Sequence, residues 1–138
     1  MKYLFFILVS FLQYSCNKNK VPDTDISNYP KGFIVKDSTS SQDCSMSKCS
    51  NERIVRFKAE NVPGVIIYDN LSSEYALDFT KSFDSSLRLY FCELPPQYRK
   101  DSLNIEFSGD IIDACGVYSS NGPVEEIYII NNYKISIK

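Results

Sequence analysis

Leu103-Asn104-Ile105-Glu106-Phe107-Ser108-Gly109-Asp110-Ile111-Ile112 is the stretch that decides the fold. Leu103, Ile105 and Phe107 alternate with Asn104, Glu106 and Ser108, the period-two pattern of a strand with one dry face and one wet face. Gly109 predicts a bulge, after which Ile111 and Ile112 extend the strand. Just upstream, Leu94-Pro95-Pro96-Gln97-Tyr98-Arg99-Lys100-Asp101 is the one segment that reads as a helical turn, since Pro is tolerated in a first turn.

Outward from there the same period recurs. Val55, Phe57 and Ala59 oppose Arg56, Lys58 and Glu60. Pro63-Gly64 predicts a break or bulge. Val65-Ile66-Ile67-Tyr68 continues as strand to a turn at Asp69-Asn70. Residues 75–80 alternate again, and Leu87, Leu89 and Phe91 oppose Arg88, Tyr90 and Cys92. Residues 126–130 and 133–137 read as two closing strands about Asn131-Asn132, a predicted hairpin turn. Strand, strand, strand, short helix, strands is the order of a small OB-like five-stranded barrel; a β-sandwich with one short helix is the competing mainly β architecture. The expected core is Val55, Phe57, Ile66, Leu77, Leu89, Phe91, Leu94, Leu103, Ile105, Phe107, Ile127, Ile129 and Ile135.

The N-terminal end has a different character. Met1-Lys2 is a small positive region, and residues 3–12 form an apolar run too short to span about 30 Å of hydrocarbon but suited to a signal-peptide core. Leu12-Gln13-Tyr14-Ser15-Cys16 resembles a bacterial lipobox, although Gln13 stands where Leu is usual. The resemblance implies acylation of Cys16. The expected organisation is a signal peptide over 1–15, the lipidated Cys16 and a flexible tether over 16–50, and the β domain over 51–138. Gly32-Phe33-Ile34-Val35 is the one apolar patch in that tether, a candidate edge strand. Localisation is then the cell envelope, on the periplasmic or surface face of a bacterial membrane.

The run from Cys92 to Gly109 resembles the "Leu-Pro-x-x-aromatic-Lys, then strand ending Phe-Ser-Gly" signature of small Bacteroidota lipoproteins, including OB-like and NigD-like groups. Asn61-Val62-Pro63-Gly64-Val65-Ile66-Ile67-Tyr68 resembles their first strand. Asp101-Ser102 departs from the Gly that commonly opens the following strand. The shared residues shape turns and strands, so the resemblance implies a fold and no catalytic residue.

The chain of 138 residues carries a formal charge of −2 and no histidine. Its acidity argues against a nucleic-acid partner, which requires a basic footprint. The missing imidazole removes the commonest general base and metal ligand. With Cys16 lipidated, Cys44, Cys49, Cys92 and Cys115 form an even set, expected to be disulfide-bonded in an oxidising compartment. Local pairing of Cys44 with Cys49 leaves Cys92 with Cys115; an OB-type barrel would separate those two and send Cys44 and Cys49 each to one of them. The spacing is a poor match to zinc knuckles, and no metal or cofactor is expected. The close acidic pairs, Asp110 with Asp113 and Glu125 with Glu126, read as solvated edges rather than a hydrolytic pair.

Tyrosine is the remaining functional signal. Tyr68, Tyr75, Tyr90, Tyr98, Tyr118, Tyr128 and Tyr133 lie on or beside strands, and a Tyr surface suits glycan or peptide contact. Tyr118, Tyr68 and Tyr75 are the candidate contact residues, with loops 116–123 and 69–74 as contact edges. The expected function is a non-enzymatic envelope lipoprotein that binds an envelope protein or ligand and is tied to the membrane by its anchor. The alternative is a small secreted hydrolase or hydrolase inhibitor. A Cys16→Ser variant should leave the membrane pellet on cell fractionation; retention through the same washes would refute the anchor.

Overall fold

The computed structural model describes residues 26–37, 40–82, 85–115 and 124–138. Six strands form one antiparallel-rich sheet: β1 (Phe33–Val35), β2 (Val55–Asp69), β3 (Glu74–Ser82), β4 (Ser85–Phe91), β5 (Leu103–Asp113) and β6 (Val124–Ile137). Their order is β1-β2-β3-β4-β6-β5, and β2 also pairs with β5. That last pairing, from Val55↔Ile112 to Ile66↔Leu103, closes a five-stranded barrel and leaves β1 as an extra strand on the outside edge of β2. The β4–β6 pairing is parallel and every other pairing antiparallel. The topology is the OB-like one, and the sandwich alternative falls away. The expected helix between the third and fourth barrel strands shrinks to a single 3-10 turn, Pro96–Tyr98. Two consecutive prolines hold Pro95 extended at ψ 146° and leave no donor at Pro96.

One strand carries the closure. β2 runs unbroken through Pro63-Gly64 because its irregularity falls earlier, between Ala59 and Val62, where Asn61 adopts φ 50°. Asn tolerates this left-handed conformation, and the Asn61 N–H donates to Ser108 Oγ at 2.9 Å instead of to a ladder carbonyl. Across the sheet, β5 and β6 slip register between Ser108 and Asp110. Here Asn132 takes φ 47°. Gly109 lies opposite, and a Cβ there would meet Tyr133 Cβ at 2.8 Å. The hairpin read at Asn131-Asn132 is therefore corrected to a bend inside one continuous strand. β5 supplies partners on both sides of it, Asp110↔Asn131 and Ser108↔Lys134, so the chain bulges and does not reverse.

Inside the barrel, Phe57, Val62, Ile66, Leu77, Leu87, Leu89, Phe91, Leu94, Ile105, Phe107, Ile111 and Ile130 are buried together, with Leu103 and Ile135 half-buried at the margin. A second apolar cluster lies on the outer face: Ile112, Ala114 and Ile129 are buried, and Val55, Ile127 and Cys92 pack on them. Ile127 and Ile129, expected inside the barrel, thus belong to its outer layer, and Tyr128 and Ile130 face inward. The reason is the parallel register of β6 on β4, in which Tyr128 pairs Leu89 and Ile130 pairs Phe91.

Residues read as tether take part in this packing. Phe33 of β1 enters the barrel core, and Tyr29 packs on Phe33 and Phe57 with ring centroids 6.1 and 4.8 Å apart. Residues 42–54 form a loop whose ends are joined by the Ile54 N–H donating to Gln42 Oε1 at 2.8 Å, an Ω-type arrangement. The buried Arg53 donates to Asp113 O at 2.6 Å and to Met46 O at 2.8 Å. The disulfides are Cys44–Cys115 and Cys49–Cys92. The local Cys44–Cys49 pairing is thereby corrected: the loop folds back over the ends of β4 and β5, so each of its cysteines meets one from the barrel. Phe107, 1% exposed at the barrel centre, makes a direct test of register. Phe107→Ala should cost about 3 to 5 kcal/mol in chemical denaturation; an unchanged midpoint would mean that the β5 faces are assigned the wrong way round.

Candidate functional site

A concavity beside exposed apolar side chains sits at the end of the barrel where β2 turns into β3. Asp69, the last residue of β2, organises the turn. Its Oδ1 accepts the Leu71 N–H at 3.0 Å, and its Oδ2 accepts the Ser72 hydroxyl at 2.9 Å and the buried Tyr90 hydroxyl. Arg88 Nη1 lies 3.6 Å from the same oxygen, and Arg88 also pairs with Asp78 at 2.7 Å. Burial pushes the Asp69 carboxyl upward, but the Tyr90, Leu71 and Ser72 hydrogen bonds and the Arg88 charge outweigh it. The net result lies below the usual carboxylate range. Burial and the Asp69 carboxylate both raise the Tyr90 phenol.

This anchored turn presents an aromatic pair. Tyr68 and Tyr75 are cross-strand partners with ring centroids 5.1 Å apart, edge to face. Tyr75 leans on the core and Tyr68 is exposed, as is Leu71 at the turn, with 64% of its surface in water. The Tyr68 N–H is fixed by Asp101 Oδ1 at 2.8 Å. Beside the pair lies a cleft of about 300 Å³. Ser73, Glu74 and Tyr75 form one wall, and Phe91, Cys92, Glu93 and Leu94 form the other. Arg99 closes one rim, with its Nε donating to Leu94 O at 2.8 Å. Lys48 closes the other rim by reaching Glu74 at 3.1 Å. Tyr133 supports the floor, stacking edge-on against Phe91 at 5.4 Å and donating its hydroxyl to Glu93 O.

Other sequence candidates fall elsewhere. Cys16, Tyr118 and the loop 116–123 lie outside the described residues. Tyr29 donates to Glu126 Oε2 at 2.5 Å, while Lys81 pairs with Glu126 Oε1 at 2.5 Å and stands 4.4 Å over the Tyr29 ring, a cluster at the opposite mouth of the barrel. Burial raises the neighbouring Tyr128 phenol to about 12, and the Glu126 and Asp113 charges add to the shift. Asp113 is paired with Arg56 at 2.6 Å, and Asp110 accepts from Asn132 at 3.2 Å, so these two acids serve separate structural bonds. Among the described residues, no group of three His, Cys, Asp or Glu side chains could hold a metal ion. The sequence reading reached Glu74 as the end of the contact edge 69–74 and missed Lys48, Glu93 and Arg99. Of these three only Arg99 carried any signal, as a polar residue of the turn read at 94–101.

No known family model matches the chain, and a comparison with curated proteins finds no match either.

Asp69 should link the turn to acid. Its folded pKa lies below the unfolded one, so its contribution is complete above the ordinary carboxylate pKa of about 4 and is lost as pH falls through the folded value. Asp69→Asn should lose about 1.5 to 3 kcal/mol at pH 7, and its deficit against wild type should shrink in denaturation at pH 3. A deficit independent of pH would show that the charge contributes nothing.

Proposed function

We propose that this chain is an exported, lipid-anchored binding module that engages an envelope partner through the Tyr68–Tyr75–Leu71 end of its barrel. The observation that carries the reading is the turn itself. Two apolar-bodied side chains, Tyr68 and Leu71, stand in water on backbone locked by Asp69 and Asp101, beside a cleft rather than a flat surface. Rigid aromatic contacts lose little conformational entropy on binding, and aromatic anchors dominate interface energetics. The engagement of Asp110, Asp113 and Glu126 in structural bonds weighs against the hydrolase alternative. Cys16 acylation and the resemblance to small Bacteroidota lipoproteins supply the envelope setting.

A photo-crosslinking residue at Leu71, in intact cells, should give a discrete adduct that the same residue at the exposed Lys58 does not. Tyr68→Ala should weaken that adduct about tenfold, the loss of one modest anchor. Adducts from Lys58 and none from Leu71 would move the contact surface elsewhere. A reproducible turnover of glycosides, esters or peptides would favour the hydrolase.

A further inference from the structure

The turn after β4 sets one charged group on the cleft rim in a fixed pose. Pro95 holds the backbone extended, and Pro96 opens the 3-10 turn that ends at Tyr98. Arg99 follows, with its backbone N–H donating to Pro96 O at 3.1 Å and its Nε donating to Leu94 O at 2.8 Å. Two prolines and two hydrogen bonds thus fix this residue at its backbone and at its guanidinium. Among the described residues, Nη1 and Nη2 of this exposed side chain have no carbonyl or carboxylate partner. The other cation on the rim, Lys48, is engaged with Glu74 at 3.1 Å. Glu93 is exposed on the same wall as Leu94, and it forms no ion pair with Arg99. Both ions act on the Tyr133 hydroxyl: burial raises that phenol, the Glu93 charge adds to the shift and the Arg99 charge opposes it. Below them, Phe91 and Leu94 are buried side chains that give the cleft an apolar floor.

We propose that the cleft takes the C-terminal end of a partner chain, with its α-carboxylate on the open edge of the Arg99 guanidinium, its last amide N–H on Glu93 and an apolar last side chain on the Phe91–Leu94 floor. The proposal rests on reading this end of the barrel as the contact surface, and it names the chemistry of what is contacted. A planar guanidinium pinned at Nε leaves Nη1 and Nη2 as a fork matched to two carboxylate oxygens, and the pinning reduces the freedom lost on binding. Glu74 and Glu93 on the walls repel a second negative charge, which disfavours phosphate and sulfate groups. The Glu93 carboxylate is also an acceptor, and a peptide end carries an N–H donor directly beside its carboxylate. An internal Asp or Glu would bring the charge without an apolar side chain for the floor. At about 300 Å³ the cleft lies at the small end of ligand pockets, with room for one residue rather than an oligosaccharide. Tyr68 and Leu71 beside it then meet the residues that precede the end.

The smallest probe is N-acetylleucine, which carries the carboxylate, the acylated N–H and the apolar side chain. It is titrated into the detergent-solubilised full chain, labelled with nitrogen-15 and followed by NMR. Saturable shifts should centre on the Arg99 Nε–H and on the Glu93 and Leu94 amides. N-acetylleucinamide, which lacks only the charge, should bind about tenfold more weakly, and so should acetate, which lacks the N–H and the side chain. Arg99→Gln should bring N-acetylleucine down to the affinity of its amide. The comparison of ligands on unaltered protein decides the matter even if that variant loses its fold. Equal affinity for the acid and its amide overturns the proposal, as does acetate binding as tightly as N-acetylleucine, or shifts that centre away from Arg99. A Leu71 adduct in cells with no binding of N-acetylleucine sinks this inference and leaves the contact surface standing. Binding of N-acetylleucine that depends on Arg99, with no Leu71 adduct, keeps the carboxylate site and counts against the contact surface.

Discussion

β2 has to pair with three other strands at once, and that constraint shapes the whole molecule. Its first half carries β1 on one side and the end of β5 on the other, and its second half exchanges β1 for β3. A straight strand cannot do this. The left-handed Asn61 supplies the necessary bend, and Ser108 takes up the N–H that the bend removes from the ladder. β5 and β6 repeat the solution one register along, with Gly109 facing Asn132. Bulges on three adjacent strands coil the sheet tightly enough for five strands to close.

Closure decides which side chains each face must hide. The interior takes Phe107, Ile111, Ile130 and their neighbours, a small core for a small domain. The outer face of β5 and β6 is apolar as well, and among the described residues no α-helix lies over it. Its outer cover comes from the 42–54 loop, whose Arg53 caps the Asp113 carbonyl and whose cysteines bond to Cys92 and Cys115. The disulfides close chain separations of 43 and 71 residues, long loops for which cross-linking restricts the unfolded state strongly. Stapling and covering are thus done by the same dozen residues.

The strands were legible because each shows period two at one face, as in Phe57-Ala59 and Leu103-Ile105-Phe107, although the irregularity between Val55 and Phe57 sends Val55, expected inside, to the outer cluster. The aromatic pair was half-legible: a turn at Asp69-Asn70 brings residues from the two flanking strands together. The burial of both faces was written in Ile111-Ile112 and Ile129-Ile130, consecutive apolar pairs that alternation cannot explain. Reading Ile127 and Ile129 as interior missed that signal. The disulfide pairing was half-legible: an OB-type barrel already sent Cys44 and Cys49 each to a barrel cysteine, as observed, but which to which was not legible, because sequence spacing measures distance along the chain and the 42–54 loop folds back against it. Nor was Lys48, a polar residue in a stretch whose composition resembles a linker. Composition reports what a segment can bury by itself, whereas two covalent bonds hold this one in place whatever it buries.

The same economy favours the β2–β3 end as the proposed contact surface. The ends of β4 and β5 are tied to the protein's own loop through Arg53 and the two disulfides. The opposite mouth of the barrel is filled by Tyr29, Lys81 and Glu126. The β2–β3 end is different in kind. Its buried groups are spent on the turn itself, since Asp69 draws in Tyr90, Ser72 and the Leu71 N–H. The residues left outside, Tyr68 and Leu71, have no structural task that would require them to be exposed. In the proposed binding reading it is the clustering that matters: the aromatic pair and Leu71 stand together beside a cleft, which sets them apart from a singly exposed apolar side chain.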